Sequence, residues 1–191
     1  AVAARYLARP DSKIFGILGC GVQGRTNLEA LLCVLKKLAV VKAFDTDPAA
    51  LKKYVDEMTQ KHGIRVEPVF SPREAVEASD VIVTAGPIMK EPRPVISADW
   101  IRPGAFGCSL DYDSYWRSDA FEAADRLFAD DVAQINYTRA HKGAFSSLPA
   151  TIGELCDVVA GKTPGRKSDT ERLISINLGL ALEDMATAIR L

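Results

Sequence analysis

The chain has 191 residues, 48% of them hydrophobic, and its 24 basic side chains stand against 25 acidic ones for a net charge of −1. That balance excludes the broad basic footprint of a nucleic-acid or anionic-membrane binder. With a mean hydropathy of +0.01 and charges breaking every apolar run, no transmembrane helix fits, and the composition is too apolar for disorder.

The opening Ala1-Val2-Ala3-Ala4-Arg5-Tyr6-Leu7 reads as helix, without the charged, apolar and cleavage-site succession of a signal peptide. Residues 13–18 form a short apolar run ending in glycines, which suits a buried strand. Residues 22–38 then switch to helical period, with Leu28, Leu31, Leu32 and Leu35 on one face. A β-branched run follows at 39–44. Asp47 and Pro48 supply an N-cap and a first-turn proline for a helix whose stripe is Leu51, Tyr54, Val55 and Met58. Residues 65–69 predict a third strand, Ser71-Pro72-Arg73-Glu74 a capping box, 80–84 a fourth strand, 105–110 a fifth and 127–129 a sixth.

Strand and helix alternating at this spacing means parallel βαβ units and a sheet covered on both faces. The expected fold is α/β, a doubly wound parallel sheet of the Rossmann type, forming one domain over residues 1–191 with flanking helices at both ends. Past residue 130 the pattern loosens. Residues 130–147 are polar and glycine-containing and read as a long loop or irregular segment. Residues 152–159 read as a short helix closed by Gly161, 165–169 as a turn and 173–176 as a strand. Leu178, Leu182, Met185 and Ile189 mark a final amphipathic helix.

Cys20, Cys33, Cys108 and Cys156 are dispersed with no C-x-x-C, and His62 and His141 stand alone. The spacing offers neither a metal site nor a disulfide framework; free thiols in a reducing cytoplasm are expected.

Gly19-Cys20-Gly21-Val22-Gln23-Gly24 matches G-x-G-x-x-G, directly after the first strand and at the opening of the first long helix. In that context the pattern points to dinucleotide binding. Gly19 permits the tight turn, Gly21 lets the backbone approach a pyrophosphate, and Gly24 allows close helix–strand packing. The free amides near Val22 and Gln23, at the positive helix end, are expected to hold the pyrophosphate. Arg25 either adds charge there or is solvated. Asp45, 21 residues after Gly24, ends the second strand. A carboxylate there accepts from the ribose hydroxyls and repels a 2′-phosphate, which favours NAD over NADP. The turn Thr84-Ala85-Gly86-Pro87 ends the fourth strand and should border the cofactor, Thr84 either bonding a cofactor oxygen or simply completing the strand.

These segments, with others in order, resemble the ornithine cyclodeaminase/mu-crystallin family. The resemblance runs through Arg9-Pro10-Asp11-Ser12, the Gly19 to Gly24 loop, Ser79-Asp80-Val81-Ile82-Val83-Thr84-Ala85 and Ile101-Arg102-Pro103-Gly104. It continues through Ile152-Gly153-Glu154-Leu155, Gly161-Lys162-Thr163-Pro164-Gly165-Arg166 and Gly179-Leu180-Ala181-Leu182-Glu183-Asp184. It implies an NAD-dependent enzyme, a cyclodeaminase-like lyase or an amino-acid dehydrogenase or imine reductase, moving hydride between nicotinamide and the Cα of an amino acid or imine. A non-catalytic, crystallin-like NAD or small-ligand module is the alternative. Counting from Gly104, the resemblance sets Asp113 at the aspartate that acts on the substrate nitrogen or the attacking water, with Asp111 read as structural. It sets Leu110, Arg117 (where relatives carry lysine) and Asn177 (where relatives carry serine) beside Ala85 on the cofactor. The run Leu110-Asp111-Tyr112-Asp113-Ser114-Tyr115-Trp116 departs from the commoner pattern, so ornithine is not implied as the substrate.

Family members also carry an N-terminal lobe that grips the substrate and builds a homodimer. The resemblance therefore implies that residues 1–8 and 177–191 pack on that lobe, that the apolar stripe of the last helix is exposed or repacked, and that the isolated chain is inactive. A cytoplasmic setting is expected.

Overall fold

The computed structural model describes residues 1–146, 148–149 and 151–190. Ser147, the end of the expected irregular segment, and Leu191, the end of the expected last helix, lie outside the described residues. The element order begins α1 (Val2–Leu7), β1 (Ile14–Leu18), α2 (Val22–Val34), β2 (Val40–Phe44), α3 (Pro48–His62), β3 (Arg65–Pro68), α4 (Pro72–Val76) and β4 (Val81–Thr84). A short 3₁₀ turn at Ala98–Trp100 leads to β5 (Phe106–Ser109), α5 (Ser118–Glu122), β6 (Arg126–Ala129), α6 (Val132–Lys142), β7 (Gly153–Glu154), α7 (Leu155–Val159), β8 (Leu173–Ile176) and α8 (Ala181–Ala188).

All eight strands lie in one sheet in the order β3-β2-β1-β4-β5-β8-β6-β7, and every pairing is parallel. The central strands β4, β5 and β8 are buried at every position, as strands covered on both faces must be. One core layer joins Phe15, Ile17, Leu28, Leu31 and Tyr54; the other joins Ile82, Trp116, Phe121, Ile135 and Phe145. Local chemistry sets the element ends as expected. Asp47 caps α3 by accepting from the Ala49 amide, and Gly63 closes it in the left-handed region. Ser71 accepts from the Glu74 amide at the head of α4.

Two expectations change. Residues 132–142 form a helix rather than an irregular segment: Asp131 accepts from the Gln134 amide, Gly143 ends the helix in the left-handed region, and Ile135 with Thr138 face inward. The caps were legible; the apolar stripe was too thin to show a period. Residues 153–154 pair with β6 before the helix begins at Leu155, because Gly153 lies so close to the Phe128 ring that a side chain would crowd it.

The terminal helices differ. Helix α1 buries Ala3, Ala4 and Leu7 in this chain's own core. Helix α8 buries nothing, and Leu182, Met185 and Ile189 are 74%, 60% and 80% exposed. Replacing Leu182 or Met185 by Gln in this chain is therefore expected to shift urea-unfolding stability by no more than about 0.5 kcal/mol. A loss above about 2 kcal/mol, the scale of a buried apolar side chain, would show that the face is covered in solution.

At the amino ends of the strands Asp80, 4% exposed, accepts from the Lys13 and Ile14 amides and pairs with Arg9 at 2.7 Å and Arg102 at 3.2 Å. Three of the family segments thus converge on one buried ion-pair cluster, at the end of the sheet opposite the site.

Candidate dinucleotide site at the carboxyl ends of the strands

Strand order reverses between β1 and β4, the place where an open parallel sheet leaves a crevice for a ligand. The two strand ends touch there, the Ala85 amide donating to Leu18 O at 2.8 Å. Gly19 stands at φ +106°, and a Cβ on it would lie 2.6 Å from the Ala85 carbonyl. A Cβ on Gly24 would collide with Gly19 O, which is how α2 comes to pack against the turn. Gly21 differs. It has extended backbone, it is exposed, and a Cβ there would meet nothing within 4 Å. Its open face borders the first turn of α2, where the exposed Val22 and Gln23 amides have no intrahelical acceptor. The geometry makes an anion cradle of backbone N–H groups.

Asp45 stands beside it. One carboxylate oxygen accepts from the Cys20 amide at 2.7 Å and the other from the Asp47 amide at 2.9 Å. An ionised carboxylate has about four acceptor positions, so capacity remains for two hydroxyls. Next to it a cavity of about 580 Å³, with walls that include Phe44, Leu51, Val55, Val69 and Phe70, opens over the ends of β2 and β3. Arg25 neither reaches over the cradle nor floats in solvent. Its guanidinium bonds Cys20 O, Gly21 O and Glu57, the last at 2.7 Å, and so braces the turn from behind.

Thr84 spends its side chain inside the fold. Fully buried, it donates its hydroxyl to Asp111 and accepts from Trp116 Nε1 at 2.8 Å, which leaves its side chain no approach to a cofactor oxygen. Asp111 is also fully buried. Its Oδ1 takes the Thr84 and Ser109 hydroxyls, its Oδ2 has no hydrogen-bond partner among the described residues, and burial pushes the carboxyl up to about 6 against the opposing pull of those hydroxyls and of nearby backbone amides. Sequence reading gave Asp111 as structural, without its raised pKa. An aspartate one pleat beyond a strand buried on both faces was the available signal.

Asp113 lies past the end of β5, half-buried, with Oδ2 accepting from the Phe145 amide at 2.6 Å. Burial raises its pKa and the Phe145 amide opposes that rise. Leu110 extends β5, its amide donating to Thr84 O at 3.0 Å. Asn177 ends β8 and spends its side chain locally, donating to Cys108 Sγ at 3.2 Å and accepting from the Ser175 hydroxyl at 2.8 Å. Arg117 is exposed and paired with Asp119 at 3.1 Å, away from the glycine turn's hydrogen bonds. Tyr115 lies across the β4 turn, its hydroxyl donating to Pro87 O at 3.3 Å, so close that a Cβ on Gly86 would strike it. The structure thus gathers Gly19, Gly21, Val22, Gln23, Gly24, Asp45 and Ala85 at the switch point, with Leu110, Asp113 and Asn177 at the neighbouring strand ends. Among the described residues no group of three or more His, Cys, Asp or Glu could hold a metal ion, and no helix is long and apolar enough to cross a membrane.

The sequence matches the ornithine cyclodeaminase/mu-crystallin family along residues 1–191. The chain belongs to that family. Its relatives include the alanine dehydrogenase of Archaeoglobus fulgidus, 34% identical over 197 residues, with 98% of this chain and 58% of the relative covered. Among solved structures, the Thermococcus litoralis Δ1-pyrroline-2-carboxylate reductase, in complex with NADH and L-proline, superposes with a TM-score of 0.83 at 33% identity, covering 98% of this chain and 59% of that one. An archaeal alanine dehydrogenase dimer with bound NAD gives 0.83 at 32% identity, again over 98% and 59%. The chain therefore spans less than three fifths of the length of these family members.

Proposed function

We propose that this chain is the NAD-binding domain of an enzyme that transfers hydride between nicotinamide and the Cα of an amino acid or imine. The observation that carries the reading is the open cradle at Gly21: backbone amides with no side chain in front of them, flanked by Asp45 with acceptor capacity to spare. The amides would hold the pyrophosphate and Asp45 the adenosine ribose, against a 2′-phosphate. When bound, the nicotinamide supplies the hydride acceptor or donor. The protein's own part is to manage the proton at the substrate nitrogen or on an attacking water. Asp113 has the chemistry for that task, since it is a half-buried carboxylate whose pKa burial raises, and such a group can both accept and return a proton. The full gene product is proposed to be a homodimer, a reading supported by the dimeric relative and by the uncovered apolar side chains of α8.

Binding tests the carrying observation directly. NADH is expected to quench, and to accept energy from, Trp100 and Trp116. Gly21→Val is expected to leave folding stability within about 1 kcal/mol, because its backbone is extended and open, while weakening NADH binding by about tenfold or more. A Gly21→Val chain that binds NADH like the parent would overturn the cradle.

A further inference from the structure

The loop after α6 carries a feature that the cofactor site does not require. Phe145 takes φ +60°, a strained conformation that an aromatic residue adopts only under external restraint. Its ring is fully buried and packs on Tyr112 at 4.8 Å between centroids. Its backbone is gripped from two sides. The amide donates to Asp113 Oδ2 at 2.6 Å, while the carbonyl accepts from Arg139 Nε at 3.1 Å. The same guanidinium donates to Leu148 O at 3.3 Å and Pro149 O at 3.4 Å. Arg139 lies on α6, the helix held by the Asp131 cap and Gly143, so the fork stands on a rigid element. A planar guanidinium spends its donors on three backbone carbonyls of one loop, with no carboxylate partner among the described residues, which is a positioning arrangement rather than an ion pair.

We propose that Arg139 is a positioning residue for Asp113: acting through the Phe145 peptide, it fixes carboxylate oxygen Oδ2 and leaves Oδ1 to face the substrate nitrogen or water. The proposal rests on the reading of Asp113 as the proton-handling group. No other donor to Asp113 is found among the described residues. With Oδ2 held by the Phe145 amide, the carboxylate cannot rotate about its last torsion without breaking that bond, so one oxygen is presented in one direction. Without the fork, the Phe145 carbonyl keeps only the Leu148 amide at 3.2 Å, and the strained peptide relaxes so that its amide leaves Asp113. The charged carboxylate then loses its one stabilising donor while its burial remains.

Two readouts in this chain separate positioning from plain stability. In the parent, the Phe145 amide proton is expected to titrate with the same midpoint as the ¹³C-labelled Asp113 carboxyl. In Arg139→Gln that shared titration is expected to vanish and the Asp113 midpoint to move upward. Arg139→Lys keeps the charge without the fork and is expected to lose at least half of the Phe145 response; it carries the test should Arg139→Gln fail to fold. In the full gene product, Arg139→Gln is expected to lower kcat by about tenfold with KM for NADH unchanged, and to move the acid limb of the pH profile upward. A folded Arg139 variant whose Phe145 amide and Asp113 carboxyl still titrate together, as in the parent, overturns the proposal. Should the titrations uncouple as expected while Asp113→Asn leaves turnover intact, the clamp stands and the reading of Asp113 as the proton-handling group falls.

Discussion

Replacing Asp113 by Asn in the full gene product is expected to lower turnover by about 10²–10⁴-fold, the usual worth of a positioned general acid–base group. The amide nearly matches the carboxylate in shape and can still accept from the Phe145 amide, so the loop should stay in place. What it cannot do is take a proton from a substrate ammonium or an attacking water. The cofactor cradle lies at the β1–β4 crevice and Asp113 past the end of β5, so NADH affinity should stay within about threefold of the parent. Stopped-flow observation of NADH formation, beside an NADH titration of the same variant, separates the two effects. Unchanged single-turnover hydride transfer would remove Asp113 from the chemistry. An absence of transfer in the parent as well would favour a non-catalytic NAD-binding module.

The second large effect concerns Asp111, through stability rather than activity. In the unfolded chain this carboxyl titrates near its ordinary 3.8, whereas in the fold burial raises it to about 6. The folded state therefore prefers the protonated form. That contribution is fully present below the unfolded value and is lost as pH rises through about 6, when a charge must reside on a buried carboxylate with one unpartnered oxygen. Asp111→Asn keeps an acceptor for the Thr84 and Ser109 hydroxyls and never ionises. Between pH 4 and pH 7.5 the stability of the parent relative to Asp111→Asn is expected to fall by about 2.4 kcal/mol. Urea unfolding of both chains across that range measures it, and because Asp113 is common to both, its titration cancels in the difference. Parallel pH profiles would show that Asp111 is charged without penalty, with a partner for Oδ2 in solution.

Both predictions concern residues of one run, 110–116, and the sequence treated the two aspartates unequally. Asp113 was legible through the family resemblance and a count from Gly104. Asp111 was set aside as structural, and it is indeed buried and hydrogen-bonded, yet the burial that raises its pKa, against hydroxyl bonds that lower it, comes from a packing that no spacing reveals. Thr84 lies 27 residues from Asp111 and Trp116 lies 32 from Thr84. Their meeting depends on how the loop after β5 turns at Tyr112, which stands at φ +62°. Arg139 and Phe145 fell in the segment read as irregular, so neither could be assigned a role before the helix was seen.

What the sequence by itself determined is the part governed by short-range physics. Period-two and period-3.6 hydrophobicity, capping residues and the glycine turn each act over a few residues, and together they dictate parallel βαβ units with an open glycine turn at the first strand end, the proposed dinucleotide cradle. The family segments that hold Arg9, Asp80 and Arg102 were equally visible, although their convergence on one ion-pair cluster at the amino ends of the strands was not. Tertiary structure alone decided the insertion of β8 between β5 and β6, the burial of Thr84 against Asp111 and Trp116 and the diversion of Arg25 into the turn. It also decided the chain of contacts from Arg139 through Phe145 to Asp113. The physical reason is the same throughout. A buried hydrogen bond between distant residues is specified by the whole packing around it, because only that packing makes an unsatisfied alternative too costly.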